Sequence, residues 1–150
     1  MNMEFMKKAV KKAKEGTNKG QTPFGACIVK KGKVIACAHD TVWKDKDPTA
    51  HAEVNAIRKA CKRLRTIDLA GCTIYSTTEP CPMCFSAIHW AKIDKIVYGA
   101  TISDAKKAGF NELTISNKKM KQLSKSKVKI QRIKCEECKE LFEKFKGKTY

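Results

Sequence analysis

Asp47-Pro48-Thr49-Ala50-His51-Ala52-Glu53 and Glu79-Pro80-Cys81-Pro82-Met83-Cys84 are the two stretches on which the reading of this chain turns. The second follows an apolar run, Cys72 to Thr77, that reads as a strand. Pro80 stops that strand and opens a helix to about Lys92, because proline is tolerated in a first helical turn. The first stretch leads into a helix from about Ala50 to Leu64 with Thr49 as its N-cap. Ala52, Ala56, Ile57, Ala60 and Leu64 then share the inner face of that helix. Two helix starts that follow strands meet at the carboxyl edge of a sheet, where α/β folds hold their ligands.

Working outward, Glu4 to Glu15 has helical spacing, with Phe5, Met6, Ala9, Val10 and Ala13 on one face. Gly16 and Asn18 to Gly20 end it. Phe24 to Val29 reads as a buried strand, Lys31-Gly32 as a tight turn and Lys33 to Ala38 as the hairpin partner. A polar loop, Trp43 to Pro48, precedes the Ala50 helix. Asp94 to Tyr98 is a fourth strand. Beyond Gly99 the pattern predicts short helices at Asp104 to Ala108 and Asn117 to Leu123, a strand at Val128 to Ile133 and a terminal helix from Cys135 to Phe145. This alternation predicts an α/β fold: a three-layer α/β/α sandwich around a mixed five-stranded sheet, in a single domain spanning 1–150.

The length, 150 residues, suits one hydrophobic core. No apolar run approaches the roughly 20 residues of a membrane-spanning helix. Met1 to Val10 is charged and lacks the pattern of a secretory signal, so the expected location is the cytoplasm and no membrane partner is expected. The formal net charge of +17 admits a nucleic-acid partner. Arginines are few, however, and base readout favours arginine, so a lysine-rich solvated surface is the preferred reading. Cys27, Cys37, Cys61 and Cys72 lie in apolar segments and read as small buried hydrophobes in a reducing compartment. Cys135 and Cys138 lack a matching partner pair and read as helix residues packed with Leu141 and Phe142.

Cys81 and Cys84, three apart at a helix start, can face one point, and the positive helix N-terminus favours their thiolates. His51 at a second helix start supplies a third ligand. Three protein ligands leave the fourth tetrahedral position of one Zn2+ per subunit open for water or hydroxide. Glu53, two residues from His51, is placed to reach that water and not the metal, as a general acid/base requires.

Together with Pro80 before the first cysteine, these residues match the His-x-Glu…Pro-Cys-x-x-Cys signature of zinc deaminases. The two stretches, with Pro-Met between the cysteines and Pro23-Phe24-Gly25-Ala26 at the first strand, resemble the cytidine-deaminase-like superfamily. The branch holding guanine deaminases and tRNA adenosine deaminases is the most similar. Asp104-Ala105-Lys106-Lys107-Ala108-Gly109-Phe110 and a terminal tyrosine, Tyr150, resemble the guanine deaminase side. The resemblance implies that Phe24 and Trp90 flank the base, that Tyr150 closes the pocket and that Glu112 assists proton transfer. It also implies a homodimer whose C-terminal segment, about 117–150, is open to exchange between subunits. Family members carry an asparagine where this chain has Asp40; ionised aspartate only accepts hydrogen bonds, which suits a base edge rich in N–H donors or a different substrate.

The implied activity is hydrolytic deamination of a purine nucleobase or nucleoside, guanine to xanthine with release of ammonia. Adenosine-to-inosine deamination in tRNA and deamination of cytosine or cytidine are the alternative reactions. A non-catalytic, zinc-stabilised nucleic-acid-binding module would explain the ligands and the charge, but not Glu53 beside an open metal position.

Overall fold

The computed structural model describes residues 3–150; Met1 and Asn2, part of the segment read for a secretory signal, lie outside the described residues. The element order is α1 (Met3–Asn18), β1 (Gly25–Lys30), β2 (Lys33–His39), α2 (Val42–Asp45), α3 (Ala52–Leu64), β3 (Cys72–Thr78), α4 (Pro82–Trp90), β4 (Lys95–Ala100), α5 (Ile102–Lys107), α6 (Asn117–Ser124), β5 (Lys129–Arg132) and α7 (Glu136–Lys144). The five strands form one sheet in the order β2-β1-β3-β4-β5. β1 runs antiparallel to β2 and β3, while β3, β4 and β5 are parallel. The predicted three-layer sandwich with a mixed sheet is therefore what the chain forms.

Alternate residues of each strand point to opposite faces, and the two faces carry separate cores. Ala26, Ile28, Ile74 and Ile96 pack with Ala52, Ala56, Ala60, Phe85 and Ile88, so α3 and α4 cover that face. Cys27, Val29, Tyr75 and Val97 pack with Met6, Ala9, Val10, Ala13, Cys138 and Leu141, so α1 and α7 cover the other. Gly25 lets α1 lie directly on the sheet: a Cβ there would collide with the Ala9 carbonyl.

The β1–β2 hairpin corrects the reading of Cys27 and Cys37. Lys30 faces Lys33 and Val29 faces Val34, but an irregularity between Ile28 and Val29 shifts the register by one residue. Cys27 consequently faces Cys37, with Cα atoms 4.1 Å apart, and the two form a disulfide. Cys61 and Cys72 keep free thiols, as expected.

Since β2 and β3 both run antiparallel to β1, they point the same way. The chain leaves both strands at one edge of the sheet, and α3 and α4 start there. Thr49, the N-cap expected from sequence, does not cap α3: its backbone N–H and hydroxyl both donate to Asp47 Oδ1. His51 takes the N-cap position instead, with φ −68° and ψ 158°. In α4 the first helical residue is Pro82, not Pro80, and Cys81 is the N-cap. Neither His51 nor Cys81 uses its side chain to cap its helix.

Candidate metal centre and substrate cleft

An N-cap side chain ordinarily accepts a hydrogen bond from the first helical turn. At His51 and Cys81 those side chains are released from capping and turn toward each other. His51 Nδ1 lies 3.7 Å from Cys81 Sγ and 3.6 Å from Cys84 Sγ. All three ligand atoms fall within 4.8 Å of one another. Tetrahedral zinc with Zn–N of about 2.0–2.1 Å and Zn–S of about 2.3 Å has N···S edges of about 3.6 Å, so the trio fits that ion. Its donor set, one imidazole and two sulfurs, suits zinc chemically.

The electrostatics agree with a cluster built to bind a cation. A hydrogen bond with the Cys84 thiol, opposed by burial and aided by His51, holds the Cys81 thiol down to about 4. Burial opposes protonation of His51, yet Cys81, Glu53 and Asp40 outweigh it and push the imidazole up to about 9. The Cys84 thiol is pushed up by its hydrogen bond to Cys81 and by burial. A divalent cation held here would take the place of the extra imidazole proton and the Cys84 thiol proton, while the Cys81 sulfur already carries the charge of a ligand.

Glu53, in the first turn of α3, is only 6 % exposed. Burial, with the Cys81 sulfur adding to it, pushes its carboxyl up to about 7. It borders a small inner cavity together with Phe24, His51, Cys81, Glu112 and Tyr150. That cavity holds about 20 Å³, space for roughly one water. Outside it lies a cleft of about 300 Å³, bordered by His51, Cys81, Met83, Phe110, Glu112 and Tyr150. Glu112 faces both spaces; burial and then Cys81 push its carboxyl up to about 7.

Tyr150 borders both spaces. Its hydroxyl donates to Asp40 Oδ2 at 2.5 Å, and its main-chain oxygen accepts from the Asn111 N–H at 3.0 Å. Its ring stands edge-on to Phe110, with centroids 5.4 Å apart, and 5.7 Å from the His51 ring. Burial and the Asp40 carboxylate raise the phenol far above its ordinary value, so it stays a donor. Asp40 is fully buried. Burial raises its carboxyl, while the Tyr150 hydroxyl and the Val42 N–H pull it back. The C-terminal segment thus closes the site.

Phe24 joins this wall through edge-on contacts with Phe110 and Phe142, at 4.9 and 5.7 Å. Trp90 does not join it. Expected to flank the base, it stands 77 % exposed and borders neither space. The helix explains this: Cys81 begins α4 and Trp90 ends it, roughly 13 Å away at 1.5 Å per residue.

Sequence reasoning passed over Glu79. This carboxylate, 7 % exposed, accepts from the Ile102 N–H at the start of α5 and the Asn117 N–H at the start of α6, at 3.1 and 2.8 Å. Asn117 Nδ2 donates to the Pro80 carbonyl at 2.6 Å. Glu79 thus ties two helix N-termini to the residue before Cys81. Its signal was an acid directly before Pro80, two residues ahead of the first candidate metal-binding cysteine. Thr78, whose buried hydroxyl has no partner among the described residues, also borders the inner cavity.

Comparison with known proteins agrees with this geometry. The family model for the cytidine and deoxycytidylate deaminase zinc-binding region matches residues 1–100. The chain is similar to a guanine deaminase of Bacillus subtilis, at 52 % identity over 75 % of this chain and 73 % of that protein. The X-ray structure of a Bacillus subtilis guanine deaminase superposes with a TM-score of 0.72 at 50 % identity, covering 75 % of this chain and 72 % of the other. A tRNA-specific adenosine deaminase of Aquifex aeolicus is 49 % identical over 64 % of each chain.

Proposed function

The chain belongs to the cytidine and deoxycytidylate deaminase zinc-binding family and is a zinc-dependent deaminase; from that premise we propose that its substrate is a purine, converted from guanine to xanthine with release of ammonia. The observation that carries this reading is that Glu53 and Glu112 border one water-sized inner space with His51 and Cys81, next to a cleft of about 300 Å³ that Glu112 also borders and that has room for a base. Two carboxyls held near neutrality are suited to taking up and returning protons at physiological pH. The 52 % identity to a guanine deaminase supports the choice of base.

His51, Cys81 and Cys84 would hold the ion. Zinc, when bound, supplies the Lewis acidity that lets water act as a nucleophile near neutral pH. Water adds to C2 of guanine. Glu53 takes a proton from that water and delivers it to a ring nitrogen. Glu112 assists the transfer of a second proton to the departing amino group, which leaves as ammonia. The planar base sits in the outer cleft against Phe110 and Tyr150, while Phe24 packs on Phe110 and borders the inner space. Asp40, through Tyr150, fixes the tail over the base; with its two oxygens taken by the Tyr150 hydroxyl and the Val42 N–H, and bordering neither space, it positions Tyr150 and does not read the base edge expected of it from sequence.

The test is ammonia release from guanine, guanosine, cytosine, cytidine, adenine and tRNA, with Glu53→Ala as the control. Guanine turns over in the parent protein, and Glu53→Ala loses at least about a thousandfold while retaining its zinc. Full activity in Glu53→Ala removes the role of Glu53. Turnover confined to another member of the panel removes guanine.

The second reading, adenosine-to-inosine deamination in tRNA, is favoured by the charge of +17 and by the identity to the Aquifex aeolicus protein. It predicts affinity that falls steeply with salt. The tail across the cleft weighs against it, because a base tethered to a polymer must approach past Tyr150. A cytoplasmic homodimer accompanies the proposal. Exchange of the segment from 117 to 150 between subunits would preserve the Tyr150 contacts, and light scattering of the full chain reads the subunit number. No described helix is long and apolar enough to cross a membrane.

A further inference from the structure

We propose that Cys135 and Cys138 form a redox-active dithiol–disulfide pair that exchanges with small anionic disulfides. The pair repeats the helix position and spacing of the two metal-site cysteines, although Cys135 caps its helix with its sulfur and Cys81 does not. Cys81 and Cys135 are both N-caps, and Cys84 and Cys138 both stand three residues later. At α4, His51 completes a metal triad. At α7 no third ligand from the described residues joins, and the two sulfurs face each other within reach of a disulfide. Their Cα atoms are 5.4 Å apart, within the range that a disulfide spans.

The two sulfurs differ in the way exchange chemistry needs. Cys135 borders an open cavity of about 270 Å³, while Cys138 is fully buried against β4. The Cys138 N–H donates to Cys135 Sγ at 3.3 Å, and the N-terminus of the nine-residue α7 points at the same sulfur. Both stabilise a thiolate at Cys135 over one at Cys138. Arg132, Lys134 and Lys139 line the cavity against a single acid, Glu136, so it attracts an anionic partner. Gly99 on β4 makes the room: a Cβ there would press on Cys138 Sγ and Cys135 Cβ. By contrast, Cys27–Cys37 bridges two strands and borders neither this cavity nor the two spaces at the metal centre.

The exchange balances without another reactant. The Cys135 thiolate attacks one sulfur of a small disulfide, forming a mixed disulfide and releasing one thiolate. Cys138, giving up its proton to solvent, then attacks Cys135 Sγ and releases the second. The pair loses two electrons and the small disulfide gains them; the reverse sequence restores the dithiol.

The probe is glutathione, whose carboxylates make it anionic. Full-length zinc-loaded protein is equilibrated across ratios of reduced to oxidised glutathione, quenched in acid, alkylated and digested. The peptide Cys135–Lys139 is then weighed. It should pass from doubly alkylated to unalkylated within the buffer series. Cys138→Ser should accumulate glutathione on Cys135, while Cys135→Ser leaves Cys138 unmodified. A peptide doubly alkylated at every ratio, or unalkylated at every ratio, overturns the proposal on the parent protein alone. Equal glutathione uptake at either remaining cysteine overturns the assigned order of attack.

Discussion

The hydroxyl of Tyr150 donates to the buried carboxylate of Asp40 across 110 residues of sequence. The bond joins the last residue of the chain to the end of β2, beside the metal ligands. Asp40 also accepts from the Val42 N–H, so one carboxylate shapes the entry to the α3 loop and anchors the tail. A buried carboxylate that loses such a donor costs about 1–3 kcal/mol.

Tyr150→Phe should therefore destabilise the protein by about 1–2 kcal/mol, and Asp40→Asn by a similar amount. Because the two groups meet, the double variant should fall short of the sum by about 1 kcal/mol. Urea unfolding of the four proteins measures this. Strict additivity would mean that the contact carries no energy.

Removing one metal ligand should remove the metal. Cys84→Ser, with a buried hydroxyl in place of a thiolate, should drop zinc content from one per chain toward zero and abolish turnover. Chelation of the parent protein should do the same reversibly and lower its melting temperature. Metal analysis beside an activity assay reads both, and zinc retained at full stoichiometry in Cys84→Ser would contradict the assignment.

Glu112 gives a pH signature. Its carboxyl is raised to about 7 in the fold, against an ordinary 4.5. A raised carboxyl contributes its stability below the unfolded value and loses it as pH climbs through the folded one. Glu112→Gln, which mimics the protonated form, should match the parent near pH 4. It should exceed the parent above pH 7, by roughly 1 kcal/mol once solvent access to this half-buried group is allowed for. A stability difference that stays flat between these pH values would contradict it.

Glu79→Gln keeps the shape of the tie between α5 and α6 but removes its charge. Charge-assisted bonds to two helix N-termini are lost, at a cost of about 1–3 kcal/mol. Since the tie runs to Pro80 through Asn117, zinc affinity should fall as well. Unfolding and competitive zinc titration separate the two effects; unchanged values in both would mean that Glu79 supports neither the helix starts nor the metal centre.

The sheet, its covering helices and the His51, Cys81, Cys84 and Glu53 cluster were legible because each rests on local pattern. Strand alternation, helix spacing and a cysteine pair at a helix start are all short-range signals. What was misread depends on contacts that sequence order hides. Asp47 claims Thr49 and leaves His51 as the cap. A one-residue shift in the hairpin sets Cys27 opposite Cys37, where an unbroken register from Lys30 and Lys33 would have offered Ala36. The four-residue α2 carries too little periodicity to stand out from the polar loop around it. Trp90 was placed by resemblance, and the length of α4 carries it away from the site.

The two released caps have one more implication. In most helices the residue at the start secures its own first turn; in α3 and α4 that residue leaves its turn uncapped and would be taken up by the ion. The starts of both helices then depend on metal supply, while the two hydrophobic layers behind them do not. A cell short of zinc would keep a stock of folded but idle protein, ready to become competent as soon as the ion returns and without new synthesis.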